Sequence, residues 1–270
     1  MTAVQTVDTT PQDRSPVGSR PVHRAIPLRR IVTTELRKMF DTRAGFWLMA
    51  SIVLTAMVAT GGVVLFATDS QLTYANFGFP MAAILPVVAI LSVTSEWSQR
   101  SGLTTFTLVP QRHLVIVAKA IASIGVAVIS TLIAFGIGAL GNVIGAAIAD
   151  QSLVWDVGIV EALLFVAGNI LGLLSGFMLG VLIRNSAGAV VGYFVYTFLL
   201  PTVFGLWASN QSSFGQLRGW VDAAYAQVPL LELSGAPSPH QWAQIGVTGT
   251  VWLLVPLLIG LAMVMKSEVK

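Results

Sequence analysis

Six apolar runs constrain this sequence more than any motif in it. Residues 45–68, 77–95, 120–144, 159–183, 187–208 and 244–265 hold a single charged side chain between them, Glu161. An α-helix rises 1.5 Å per residue, so about 20 apolar residues cover a hydrocarbon core of about 30 Å. Inside that core every backbone N–H and C=O must be satisfied within its own segment, which makes such runs helices. The expected fold class is all-α integral membrane, with six transmembrane helices. Composition agrees: 55% of the residues are hydrophobic, 10% are charged and the mean hydropathy is +0.79. A soluble domain carries about a quarter charged residues.

The same composition excludes several chemistries. There is no cysteine, so no disulfide framework, thiolate metal site or cysteine nucleophile can form. His23, His113 and His240 lie far apart and make no ligand spacing, and no metal site is expected. The sequence pI near 9.5 is not read as a nucleic-acid signal, because the cations flank apolar runs as membrane orientation requires.

Residues 1–27 are polar and contain Pro11, Pro16, Pro21 and Pro27. With no apolar core of signal-peptide length, they are expected to form a disordered cytoplasmic tail. In residues 28–43, Leu28, Ile31, Val32, Leu36, Met39 and Phe40 recur at helical spacing, with Arg29, Arg30, Arg37 and Lys38 on the other side. This predicts a basic amphipathic interfacial helix, its apolar face in lipid and its cations near anionic phosphates. A soluble linker helix packed on another chain is the alternative. The second run contains Pro80 near its start and Pro86 inside, where a kink is expected. Lys119 heads the third run and is expected to snorkel to the headgroups. Pro201 interrupts the fifth run, and residues 209–243 form the longest loop. Its apolar stretch 220–233 is suited to lying on, or dipping into, the interface.

Every lysine and arginine except Arg218 falls on one side of this arrangement. The positive-inside rule then places both termini and the polar segment 92–119 in the cytoplasm, and 209–243 outside. Six crossings satisfy that parity.

Gly168, Gly172, Gly176 and Gly180 recur at every fourth residue of the fourth run. Four side-chain-free positions on one ridge allow close helix approach, within one subunit or between two. Asn142 and Asn169 are expected to bond between helices, and Glu161 to sit at the outer interface rather than serve as a proton site. Tyr193, Tyr196 and Phe198 give the fifth run an aromatic face beside Pro201. That face is read either as core or lipid packing or, with Pro86, as the wall of a substrate cavity.

No GxSxG elbow, no serine–histidine–aspartate set and no GxxxxGK[ST] phosphate loop occurs, so the chain is not expected to be an enzyme or to hydrolyse ATP itself. The segment between the second and third runs carries Thr94, Ser95, Glu96 and Trp97, then Arg100, Ser101, Gly102, Leu103 and Thr104. Pro110, Gln111, Arg112 and finally Lys119 follow. This order resembles the first cytoplasmic loop of ABC-2 type transporter permeases. There a Glu closes the second span, a Gly-Thr-like step follows, and a Pro-x-Arg turn precedes a Lys heading the third. Here Leu103 stands between the Gly and the Thr. Glu35, Leu36, Arg37 and Lys38 are similar to the approach to the first span in that family. The terminal Glu268, Val269 and Lys270 are similar to those of its actinobacterial members.

The resemblance covers residue 28 to the end and implies a type V exporter-like transmembrane domain in a bacterial plasma membrane. Two six-helix halves, identical or related, would pair with two cytosolic ABC ATPase subunits that hold the ATP and Mg. The loop after the second span would form a coupling helix seated in the ATPase. Glu96 and Arg100 are the expected charged contacts, Leu103, Phe106 and Leu108 the inserted element, and Pro110 and Arg112 the turn. Alternatively, these charges only anchor helix ends at the surface. The implied function is export of an amphiphile such as a drug, lipid or glycolipid. An ATP-independent channel or carrier, and a non-transporting scaffold or sensor, are the rival readings.

Overall fold

The computed structural model describes residues 27–41, 43–66, 81–98, 112–233 and 235–266. Among these there is no strand. Helix α1 covers Leu28–Asp41, α2 Arg43–Phe66, α3 Met81–Ser98, α4 Arg112–Ala149 and α5 Ile159–Ile183. The fifth run is one rod made of α6 (Ser186–Phe194), a π-helical turn (Val195–Leu199) and α7 (Leu200–Asn210). Two short helices follow, α8 (Ser212–Val221) and α9 (Ala223–Leu231). The last rod is α10 (Pro239–Gly249), a second π-helical turn (Thr250–Leu254) and α11 (Val255–Lys266).

Five of these are long and apolar enough to cross a membrane: Gly45–Phe66, His113–Ala149, Ile159–Ile183, Ser186–Asn210 and Pro239–Lys266. The apolar part of α3, Ile84–Ser95, is shorter. The protein is an all-α, membrane-embedded chain. Helix α4 is continuous over 38 residues, about 57 Å at the α-helical rise, so it outreaches the hydrocarbon layer at its ends.

Without a solvent-driven force between helices in lipid, close packing of small residues decides which helices pair. The most extensive pairing is α3 against α5, and the glycine ridge explains it. A Cβ on Gly176 would run into the backbone carbonyl of Pro86, and one on Gly180 would meet Val93 and Ile90 at 3.3 and 3.4 Å. Gly168 lies under Leu230 and Leu231 of α9, whereas a Cβ on Gly172 would meet nothing within 4 Å. Three of the four ridge positions thus face other elements of the same chain. The core seam joins Leu85, Val88 and Val93 of α3 to Leu173, Phe177 and Val181 of α5.

Several features differ from the expectations above. Asn142 and Asn169 do not bond between helices: Asn142 donates to the Val154 carbonyl beyond the end of α4 (3.0 Å) and Asn169 to the Phe165 carbonyl of its own helix (2.9 Å). The loop 209–243 is largely helical, because Asp222 caps α9 through Tyr225 N (3.1 Å) and Ser238 forms a reciprocal cap with Gln241 at the start of α10. The fifth run, which Pro201 interrupts, and the sixth run each carry a π-helical turn that the sequence pattern does not predict. Helix α1 does not offer its whole apolar face to lipid: Ile31 and Glu35 are buried, and the helix packs on α4 and α2.

Candidate functional site

Residues Arg100, Leu103, Phe106, Leu108 and Pro110 lie outside the described residues. Glu96 falls in the last turn of α3 and Arg112 opens α4, with side chains outside the described set. The structure therefore describes the two roots of the central segment, and both are held by polar contacts.

Lys119 is 5% exposed and does not snorkel. Its Nζ pairs with Glu35 Oε2 at 2.5 Å and donates to the Ser92 carbonyl at 3.2 Å. The other carboxylate oxygen of Glu35 takes Lys38 Nζ at 2.8 Å. One carboxylate thus ties α1 to α4, and the same lysine ties α4 to α3. Ser92 Oγ donates to the Ala89 carbonyl (2.9 Å), so in its 3.3 Å contact with Ser123 the hydroxyl of Ser123 is the donor. Thr94 Oγ1 likewise donates to the Ile90 carbonyl (2.8 Å) and accepts from Ser186 at 2.7 Å. Ser186 opens α6, just beyond Asn185, whose side chain caps that helix through Gly188 N at 2.9 Å. Helices α1, α3 and α4 therefore meet in one polar knot at the end of the bundle where α3 stops and α4 starts, and a separate Thr94–Ser186 contact ties α3 to α6.

The electrostatics favour a charged knot. Burial pushes the Glu35 carboxyl upward, but Lys119 and then Lys38 outweigh it and hold the group below its ordinary 4.5. A buried ion pair repays its desolvation only when remaining donors and acceptors are also satisfied, and here Lys38 and the Ser92 carbonyl supply those partners.

At the opposite end a second polar cluster pins α8 and α9 to the fifth and sixth rods. Arg218 Nε pairs with Asp222 Oδ2 at 3.2 Å, and its Nη2 donates to the Pro201 carbonyl at 3.3 Å. Its guanidinium lies 4.4 Å over the Tyr225 ring. Trp252 Nε1, on the second π-helical turn, donates to the Val221 carbonyl at 2.7 Å. The Trp252 ring lies 6.0 Å from that of Tyr196, on the first π-helical turn.

The aromatic and proline candidates have different neighbours. Pro86 is covered by Gly176, and Tyr193 is buried against Ile90 and Ala189. Tyr196 faces Trp252, Pro201 offers its carbonyl to Arg218, and Phe198 is exposed, stacked on Phe194 at 5.8 Å. Tyr196 and Pro201 share the α8 contact region through Trp252 and Arg218, while Pro86 and Phe198 point elsewhere.

Sequence reasoning did not single out Ser92, Ser123 and Ser186, and it named Glu35 and Thr94 only within the family resemblance, without their partners. A signal existed. Glu35 is the one carboxylate on the apolar side of α1, and Lys119 heads an otherwise uncharged run, so each required a partner of opposite sign.

The sequence matches no protein-family profile and no curated protein. The contacts of the knot tie the last turns of α3 and the first turns of α4 to α1.

Proposed function

We propose that this chain is the permease subunit of an ATP-driven exporter, with six crossings in which α3 serves as the second and both termini face the cytoplasm. The observation that carries the reading is the Glu35–Lys119–Ser92 knot. A segment that receives force from a separate ATPase must have stiff roots, or its displacement is absorbed locally. Both roots of residues 99–111 meet in buried, charge-assisted contacts, which are shorter and stronger than neutral ones. ATP and Mg belong to the partner subunit, consistent with the missing phosphate loop. The cargo is an amphiphile, a drug, lipid or glycolipid, and a second permease copy or a related permease completes the pathway.

The test is isolation of the tagged chain in mild detergent from its native membrane. The expected result is co-purification of an ATP-hydrolysing subunit, lost when Leu103, Phe106 and Leu108 are replaced by Asp. An intact, folded preparation without any ATPase overturns the proposal and returns the carrier and scaffold readings.

A further inference from the structure

We propose that the outward face of α1 is a binding site for anionic phospholipid headgroups. The apolar face of an amphipathic helix beside a membrane ordinarily enters lipid. In this chain part of that face is already occupied, because Ile31 and Glu35 are buried and the helix packs on α4 and α2. What remains exposed is cationic. Arg29, Arg30 and Arg37 line an open groove with Pro27, Thr33 and Thr34. The two threonine hydroxyls donate to the Arg29 and Arg30 carbonyls at 2.9 Å each, so the guanidinium groups are the side-chain donors left for a ligand.

Charge and depth both favour a lipid phosphate. The first turn of α1 contains no acidic residue, and the positive end of its dipole adds to the field of Arg29 and Arg30. Glu35 is turned away and engaged by Lys119 and Lys38, and Asp41, the exposed carboxylate, stands at the far end of the helix. Helix α2 starts at Arg43 and its apolar span at Gly45, which holds α1 at the membrane surface. Phe40 is 50% exposed and Leu28 36% exposed. Large apolar side chains flanking arginines suit the boundary between headgroups and acyl chains better than a wet protein surface. The proposal rests on the orientation given above only in naming the leaflet, the cytoplasmic one.

The chain lacks cysteine, so a Thr33→Cys variant of the full protein carries one environment-sensitive fluorophore at the groove. It is reconstituted in phosphatidylcholine vesicles with and without phosphatidylglycerol, and headgroup-quencher lipid reads proximity. The expected result is quenching and a blue shift that are several-fold stronger with phosphatidylglycerol, the excess being reversed by salt. The R29Q/R30Q/R37Q variant is expected to need about 100-fold more anionic lipid, from roughly fivefold per cation. R29K/R30K/R37K should stay within about fivefold of the parent, since a lipid surface reads charge more than fork geometry. Co-purified phosphatidylglycerol per chain provides a second measurement on the parent and both variants. Equal signals in both vesicles, or a signal that arises only when a partner ATPase is added, overturns the proposal; the latter assigns the face to protein. No ATPase is needed for the lipid readout, so its failure and that of the permease reading are separable.

Discussion

Glu35 and Lys119 form a pair whose two halves are each costly alone. Removing one partner leaves the other charge buried, a loss of about 3 kcal/mol. Glu35→Gln and Lys119→Met are therefore expected to lower the melting temperature in detergent sharply. The double variant E35L/K119M, with apolar groups of similar volume, should recover most of the loss. Under the proposed permease function, a double variant that is stable yet transport-deficient would separate a contribution of the knot to coupling from its contribution to folding. The pair also predicts an acid response. The folded Glu35 carboxyl lies below 4.5, so its stabilisation is complete above about pH 4.5 and is lost as pH falls through the lower folded value. Proteolysis at the α1–α2 junction should accelerate in that window in the parent and show no such step in E35L/K119M. The pairing was not legible locally, because the partners are 84 residues apart. Only the lone charge on each apolar surface hinted that one was needed.

Among the elements, the α3–α5 contact has the sharpest dependence on a single position. Gly176→Ala places a methyl group against the Pro86 backbone, which cannot yield as a flexible side chain does. A loss of about 2 kcal/mol is expected. Gly172→Ala, four residues earlier on the same ridge, enters open space and should be neutral, or stabilising by up to about 1 kcal/mol through helix propensity. Thermal unfolding of the two variants side by side checks the contrast. Equal losses would mean that the ridge acts as a uniform surface. The spacing of these glycines was readable from sequence, but which of them touches backbone was not, since that depends on where Pro86 falls along α3. Helices α8 and α9 were hidden for a related reason. They are short, and contacts to other elements hold them: Arg218 to Pro201 and Trp252 to Val221.

For the whole molecule, the contacts require an alternating path. Glu35, Ser92, Lys119 and Ser186 share one end, while Arg218, Asp222 and the start of α10 lie at the other. In sealed vesicles of one orientation, single cysteines at Arg37 and Lys266 should react with an impermeant thiol reagent from the same side. Cysteines at Asp156 and Gln216 should react from the opposite side. Reaction of Arg37→Cys and Asp156→Cys from one side would refute the alternation. Hydropathy made the spans legible because uncharged length is a local property. Their exact courses depended on packing, as in the uninterrupted α4 and the two π-helical turns.

Those two turns, Val195–Leu199 and Thr250–Leu254, bear on which changes of chain length the protein can accept. A π-helical turn bonds each N–H one residue further back than an α-helix does, so it stores one surplus residue without disturbing either flank. Elsewhere in a span, deleting one residue rotates everything beyond it by about 100° and turns buried faces outward. Deletion of Thr197 should therefore leave a folded protein with Tyr193 and Pro201 still in place, whereas deletion of Ala127 in α4 should not. The turns act as slack in an otherwise fixed length of rope, two points within the described spans where one residue can be removed and the rope still be tied.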